Sequence, residues 1–211
     1  MKPLKNCKLY AILDTGYVKK DRLLDMARAI VRGGADILQL RAKNELDEEI
    51  LQMAPAIRDV AAAAGVPLII NDRPRLAGQL DAAGVHIGQD DGTVAAARKQ
   101  LLKKGYVGKS THSEAQIEAT LAEKPDYIAV GPIYATPTKP DYAPVGIKLI
   151  EFAASKVTIP FFCVGGIKLE NVEGVLAAGA KRIVVVSGIL LASDPEKYTK
   201  LLKQKLAEKK R

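Results

Sequence analysis

The residues of this chain that could do chemistry fall in seven short clusters, each just after an apolar run. They are Gln39, Arg41 and Lys43; Asn71 and Asp72; Gln89, Asp90 and Asp91; Ser110, Thr111 and His112; Thr136, Thr138 and Lys139; Gly165 and Gly166; and Ser187 and Gly188. Arg41, Lys43 and Lys139 supply cations for phosphate oxygens, and an arginine can grip two oxygens at once. Asp72 and Asp91 are hard oxygen ligands, the composition expected for Mg2+ shared with a phosphate. The "VGGI" and "VSGI" segments offer bare backbone N–H groups, which suit a phosphate monoester. The inventory therefore predicts two anion sites, one assisted by a metal and one made of backbone.

Each cluster also has a plain structural reading. "LRAK" fits a surface salt-bridge row, and Asp72 before Arg73 fits a turn or a helix cap. Asp90 or Asp91 could cap a helix starting near Thr93, and His112 could be a hydrogen-bonded structural histidine. A Gly-Gly pair after a strand also serves close strand–helix packing. What favours chemistry is coincidence, because all the clusters sit at the same end of the elements that carry them.

Those elements alternate. Strand-like runs are "LYAIL" (9–13), "ILQL" (37–40), "PLIIN" (67–71), "GVHIG" (84–88), "YVGKS" (106–110), "YIAVG" (127–131), "FFCVG" (161–165) and "RIVVVS" (182–187). Helix-period segments follow, starting near Asp21, Asp47, Arg75, Thr93, Ser113, Ile147, Leu169 and Pro195. The runs are nearly continuous in apolar residues, as in strands buried on both faces of a parallel sheet. Eight βα units in 211 residues predict one (β/α)8 TIM barrel spanning 1–211. An open doubly wound sheet is the competing layout, but no G-x-G-x-x-G follows the first run. In a barrel the active site lies at the C-terminal ends of the strands, where the clusters fall.

Composition narrows the partners. The net charge is +8, but residues 197–211 hold seven basic residues and one acidic, so little excess remains elsewhere. That tail reads as an amphipathic last helix with a solvated lysine face, and no aromatic platform accompanies it, so a nucleic-acid partner is not expected. No apolar run reaches the roughly 18 residues of a membrane span. The start, "MKPLKNCKLYAIL", lacks the long apolar segment of a signal peptide. Cys7 and Cys163 lack metal spacing and read as reduced thiols of a cytoplasmic protein. A homodimer is left open.

The motifs "QLRAK", "IINDR", "GVHIGQDD", "GKSTHS", "GPIYATPTK", "CVGGI" and "VVSGI" resemble, in order, those of the thiamine phosphate synthase family. The resemblance covers nearly the whole chain, and "GPIYATPTK" is its most specific part. It implies a transferase that joins 4-amino-2-methyl-5-hydroxymethylpyrimidine diphosphate to a thiazole phosphate, releasing diphosphate through a dissociative, carbocation-like step. By position it implies that Gln39 contacts the pyrimidine, and that Arg41, Lys43, Asn71 and Lys139 bind the diphosphate. Ser110 would sit beside the diphosphate and the reacting carbon, so Ser110, Lys139 and Arg41 carry the catalytic roles. Asp72 and Asp91 would hold Mg2+. Thr136, Thr138, Gly166, Val186 and Ser187 would bind the thiazole phosphate.

The loop after the sixth run then reads as a clamp. Thr136 and Thr138 would alternate along an extended segment so that their hydroxyls point one way, and Lys139 would reach the leaving group. The alternative is a proline-rich connection whose threonines bond their own backbone. The chain departs from the family pattern at Ala42, where "LREK" is usual, at Gly188, where "SAI" is frequent, and at "CVGGI". "SGI" also occurs in the related thiazole tautomerases, which place a histidine near His112. Three functions therefore stay in view: the synthase, a thiazole tautomerase, and a non-catalytic barrel that binds thiazole or thiamine phosphates. The "TxTK" loop and paired aspartates favour the synthase.

Overall fold

A computed structural model of the protein describes residues 2–101, 104–136, 138 and 143–208. Eight parallel strands close a ring: β1 (Leu9–Asp14), β2 (Ile37–Arg41), β3 (Leu68–Asn71), β4 (Gly84–Ile87), β5 (Tyr106–Thr111), β6 (Tyr127–Val130), β7 (Phe161–Cys163) and β8 (Ile183–Val185). Each pairs with the next, and β8 returns to β1 with Leu9 opposite Ile183. The intervening helices are α1 (Leu23–Arg32), α2 (Asp47–Ala63), α3 (Pro74–Gln79), α4 (Val94–Gln100), α5 (Glu114–Ala122), α6 (Lys148–Lys156), α7 (Val172–Ala177), α8 (Ser187–Leu190) and α9 (Pro195–Ala207). The (β/α)8 expectation thus describes the molecule.

The strand ends differ most from the sequence reading at β7 and β8. β7 and β8 are shorter than their apolar runs. Beyond β7, Gly165 and Gly166 adopt φ of 103° and 62°, which no strand can hold. Beyond β8 the chain turns at once into α8, which was not anticipated. Four residues are too few for a helical period to show.

Alternation along the strands makes two cores. Outward residues such as Leu9, Ala11 and Leu13 of β1 pack with the helices in the larger one. A separate cluster holds Leu4, Cys7, Tyr10, Ile37, Ile69, Tyr127, Phe162 and Val184 and fills the barrel itself. The Phe162 ring lies 5.5 Å from Tyr10 and 5.5 Å from Tyr127, edge-on to both. Tyr127 needs Gly108 on the neighbouring strand: a Cβ there would stand 2.1 Å from the Tyr127 ring. This aromatic plug is the floor on which the site is built. Cys7 and Cys163 are both buried free thiols, and burial pushes them up to about 11 and about 12. No helix among the described residues is long and apolar enough to cross a membrane.

Candidate active site

A cavity of about 850 Å³, counted out to its open mouth, is lined by residues at the C-terminal ends of the strands. Gln39, Arg41, Asn71, Ser110, Thr136, Thr138, Gly166, Val186 and Ser187 all reach it. The convergence expected from the sequence is therefore present for these residues. Lys43, Asp72 and Asp91 form a charged edge on the β2–β4 side, outside the lining itself. The expected role of Lys139 falls outside the described residues. His112 also lines the cavity, and its Nδ1 is hydrogen-bonded to the carbonyl of Gly131.

Arg41 is aimed by a residue that the sequence reading missed. Its Nη1 donates to Asp14 Oδ2 at 2.6 Å, and Asp14 Oδ1 accepts from the Gly16 N–H at 2.9 Å. Asp14 is buried, whereas Arg41 keeps part of its surface toward the cavity. The β1–β2 register sets Asp14 directly opposite Arg41. The apolar run of β1 stops at Leu13, one residue short of this strand-end aspartate. The rule applied to the other strands would have found it.

The carboxylate edge is crowded. Asp72 sits at φ 58°, in the left-handed region, with its N–H on the His86 carbonyl at 2.8 Å. Lys43 Nζ lies 3.1 Å from Asp72 Oδ2. Burial pushes the Asp91 carboxyl up; the Gly88 N–H, 2.7 Å from Oδ2, opposes this, and the Asp72 carboxyl within hydrogen-bonding reach raises it further. Two carboxylates held together against their repulsion, with backbone strain at one of them, fit a hard divalent cation between them. Asp90 lines no part of the cavity either, and the helix cap at α4 is Thr93, which accepts from the Ala96 N–H.

The opposite edge is backbone. Gly165 and Gly166 leave no room for side chains: a Cβ would stand 2.5 Å from Pro132 and 2.6 Å from the Ala135 carbonyl, respectively. The Gly166 carbonyl is tied to Asn171 Nδ2 at 2.8 Å. Gly188, one of the departures from the family pattern, faces the Tyr198 hydroxyl at 3.1 Å from an ideal Cβ. Tyr198 accepts from the Leu169 N–H at 3.0 Å, so the missing methyl makes way for a tether between α9 and the loop after β7. Thr138 lies in a turn rather than an extended segment, and Thr136 Oγ1 accepts from its N–H at 3.3 Å. The expected alternation of the two threonines is thus replaced by a local side-chain turn. Both still line the cavity, and Thr138 Oγ1 meets the Tyr17 hydroxyl at 2.9 Å.

Below the cavity runs a buried polar chain. Ser110 Oγ is 2.9 Å from His86 Nε2; His86 Nδ1 is 3.2 Å from the Tyr127 hydroxyl; that hydroxyl is 3.1 Å from Tyr10; and Tyr10 accepts from Gln39 Nε2 at 2.6 Å. Burial pushes both phenols far above their ordinary range, so they stay neutral. Gln39 Oε1, buried at the cavity, has no partner among the described residues. Tyr10, His86 and Tyr127 were passed over because they sit inside apolar runs, although period two places them on the same face as Gln39 and Ser110. Lys109 of "GKSTHS" points the other way, holding Glu123 Oε1 at 2.7 Å and the Gly92 carbonyl at 3.0 Å.

Fold and site together define a (β/α)8 barrel with a cavity at the C-terminal ends of its strands. A family model described as thiamine monophosphate synthase matches residues 9–189, and the chain belongs to that family. A thiamine-phosphate synthase of Thermus thermophilus is 42% identical over 184 residues, 87% of this chain and 88% of that protein. One of Thermosynechococcus vestitus is 37% identical over 99% of this chain, which spans only 58% of that relative's length. Among solved structures, a thiamine phosphate pyrophosphorylase from Pyrococcus furiosus superposes with a TM-score of 0.89 at 25% identity, covering 98% of each chain.

Proposed function

We propose that the protein is a transferase that joins 4-amino-2-methyl-5-hydroxymethylpyrimidine diphosphate to a thiazole phosphate, giving thiamine phosphate and diphosphate. The observation that carries this reading is one cavity with two unlike anion edges. Arg41 and Asn71, with Lys43 beside them, serve a diphosphate at one edge; Gly166, Val186, Ser187 and the two threonines serve a monoester at the other. Between them Gln39 Oε1, without a partner among the described residues, can accept from a ring amino group. The family membership and the relatives, which are thiamine-phosphate synthases, point the same way.

The chemistry asks little of nucleophiles. The bond from the methylene carbon to the diphosphate oxygen breaks, and its electron pair leaves on that oxygen. The amino group of the ring feeds electrons to the carbon left behind, and the thiazole nitrogen then supplies the pair for the new bond. The barrier is lowered by holding both reactants and by stabilising charge on the departing oxygens, which is the work assigned to Arg41, Ser110 and Lys139. Asp72 and Asp91 would hold Mg2+, which when bound neutralises part of the diphosphate charge. The buried free thiols support a reducing, cytoplasmic setting.

The test is diphosphate release with each substrate, and Mg2+, omitted in turn. Release is expected only when all three are present, and Asp72→Asn or Asp91→Asn should lower turnover as sharply as metal removal. Turnover of a thiazole carboxylate phosphate without pyrimidine or Mg2+ would reassign the protein as a tautomerase. Tight binding with no release would make it a binding barrel.

A further inference from the structure

We infer that Tyr10, Tyr127 and His86 form a relay that makes Ser110 a hydrogen-bond donor only when the ring bound at Gln39 offers an N–H. The inference rests on the proposed function, in which Ser110 faces the departing diphosphate. It goes further by giving the buried chain a task in substrate selection.

The chain connects the two cavity groups through three residues and four hydrogen bonds inside the barrel. Each hydroxyl carries one hydrogen and the neutral imidazole carries one, so the choice at one end propagates. In the arrangement described above, the Gln39 amide N–H donates to Tyr10, Tyr10 donates to Tyr127, and Tyr127 donates to His86 Nδ1. The imidazole hydrogen is then on Nε2 and is given to Ser110 Oγ, which keeps its own O–H for the cavity. Gln39 meanwhile presents its Oε1 lone pairs, the state that suits an aminopyrimidine.

The reverse arrangement is equally complete. If Gln39 turns its amide N–H2 to the cavity, Oε1 must accept from Tyr10. Tyr127 then donates to Tyr10, the imidazole hydrogen moves from Nε2 to Nδ1, and Ser110 donates to Nε2. Ser110 now offers the cavity only lone pairs, which repel a departing oxygen. Both states hold the same number of protons. A mixed state would leave a buried hydroxyl hydrogen without an acceptor, which disfavours it. Where Gln39 meets the exocyclic group, a 4-amino ring therefore sets Ser110 to assist, and a 4-oxo ring, whose exocyclic oxygen needs a donor from Gln39, sets it to oppose.

His86 and His112 are the chain's two histidines, so the tautomer can be read directly by 15N NMR of histidine-labelled protein. His112→Gln identifies the second resonance. The probes are the 4-amino pyrimidine diphosphate and its 4-oxo counterpart, each without thiazole phosphate, with binding first measured by calorimetry. The relay predicts the Nε2–H tautomer of His86 with the amino probe and the Nδ1–H tautomer with the oxo probe. Tyr127→Phe or Tyr10→Phe keeps the ring but cuts the chain, and should abolish the dependence on probe. The same variants should lower kcat about as much as Ser110→Ala does, with the KM for thiazole phosphate unchanged. One tautomer with both probes, or an intact response in the cut variants, overturns the relay alone. Failure of the oxo probe alone to bind also overturns only the relay, which requires Gln39 to turn and receive it; failure of the amino probe to bind the native protein at all overturns the proposed function, and the relay with it.

Discussion

Arg41 brings a charge to the cavity, and Asp14 decides where that charge stands. The pair is short, at 2.6 Å, and its acid is buried, so the guanidinium is fixed before any ligand arrives. One N–H of the fork is spent on Asp14, and no other residue among those described takes the rest, which can meet phosphate. Arg41→Ala should raise the KM for the pyrimidine diphosphate by about 10–150-fold, the worth of roughly 1.5–3 kcal/mol for a bond to a charged group. The KM for thiazole phosphate should not move. Asp14→Asn keeps the shape but weakens the bond to a neutral one, a loss of about 1 kcal/mol, and should raise the same KM roughly five-fold. Steady-state kinetics with each substrate varied in turn reads both effects. Equal weakening of the two substrates would contradict separate anion edges.

Among the elements, the loop after β6 was the most specific motif and also where the sequence reading went furthest astray in geometry. The strands themselves were legible, because runs buried on both faces lack polar interruptions and their order repeats. The charged strand ends were legible for the same reason: a polar residue right after such a run has to face the cavity mouth or solvent. Residues inside the runs were not. Tyr10 and Tyr127 look like core, and they are core, yet each also carries a link of the polar chain. The loop failed differently, since a threonine hydroxyl can serve a ligand or its own backbone, and spacing does not say which. Here Thr136 takes the backbone and Thr138 takes Tyr17. A phosphate arriving at this edge must then compete with Tyr17 for the Thr138 hydroxyl. Thr138→Val should raise the KM for thiazole phosphate with little effect on the pyrimidine diphosphate. Tyr17→Phe, which frees that hydroxyl, should change it by less than about five-fold, the worth of one neutral hydrogen bond. A loss of affinity for both substrates in Thr138→Val would instead show that the loop acts as a lid over the whole cavity.

At the scale of the whole molecule, the barrel must be closed at the end opposite the site, and Asp36 does much of this. It is buried just before β2. Its Oδ2 accepts from the N–H groups of Lys8 and Leu9 at 2.8 and 3.0 Å, and the Lys2 and Lys203 ammonium groups pair with its two oxygens. One carboxylate thus joins the entry to β1, the entry to β2 and the last helix, so part of the basic tail is turned inward to a structural task. Burial pushes the Asp36 carboxyl up, but the two lysines and two backbone N–H groups outweigh it and hold the carboxyl below its ordinary value. The sign of the linkage follows. With the folded value depressed, this stability is fully present above the unfolded value of about 3.9 and is lost as pH falls through the folded value. Asp36→Ala should cost about 2–3 kcal/mol near neutral pH, since it orphans buried donors. That corresponds to a Tm lower by about 5–10 °C for a chain of this length. Thermal melts of the native protein and the variant from pH 7 downward should begin to converge below about pH 4 and meet only once the pH has fallen through the depressed folded value, where the native carboxylate also becomes neutral. The activity of the surviving folded fraction should be unchanged, because Asp36 lies at the far end of the strands from the cavity. A Tm difference that persisted undiminished to pH 2 would mean that Asp36 acts through packing and neutral hydrogen bonds rather than charge.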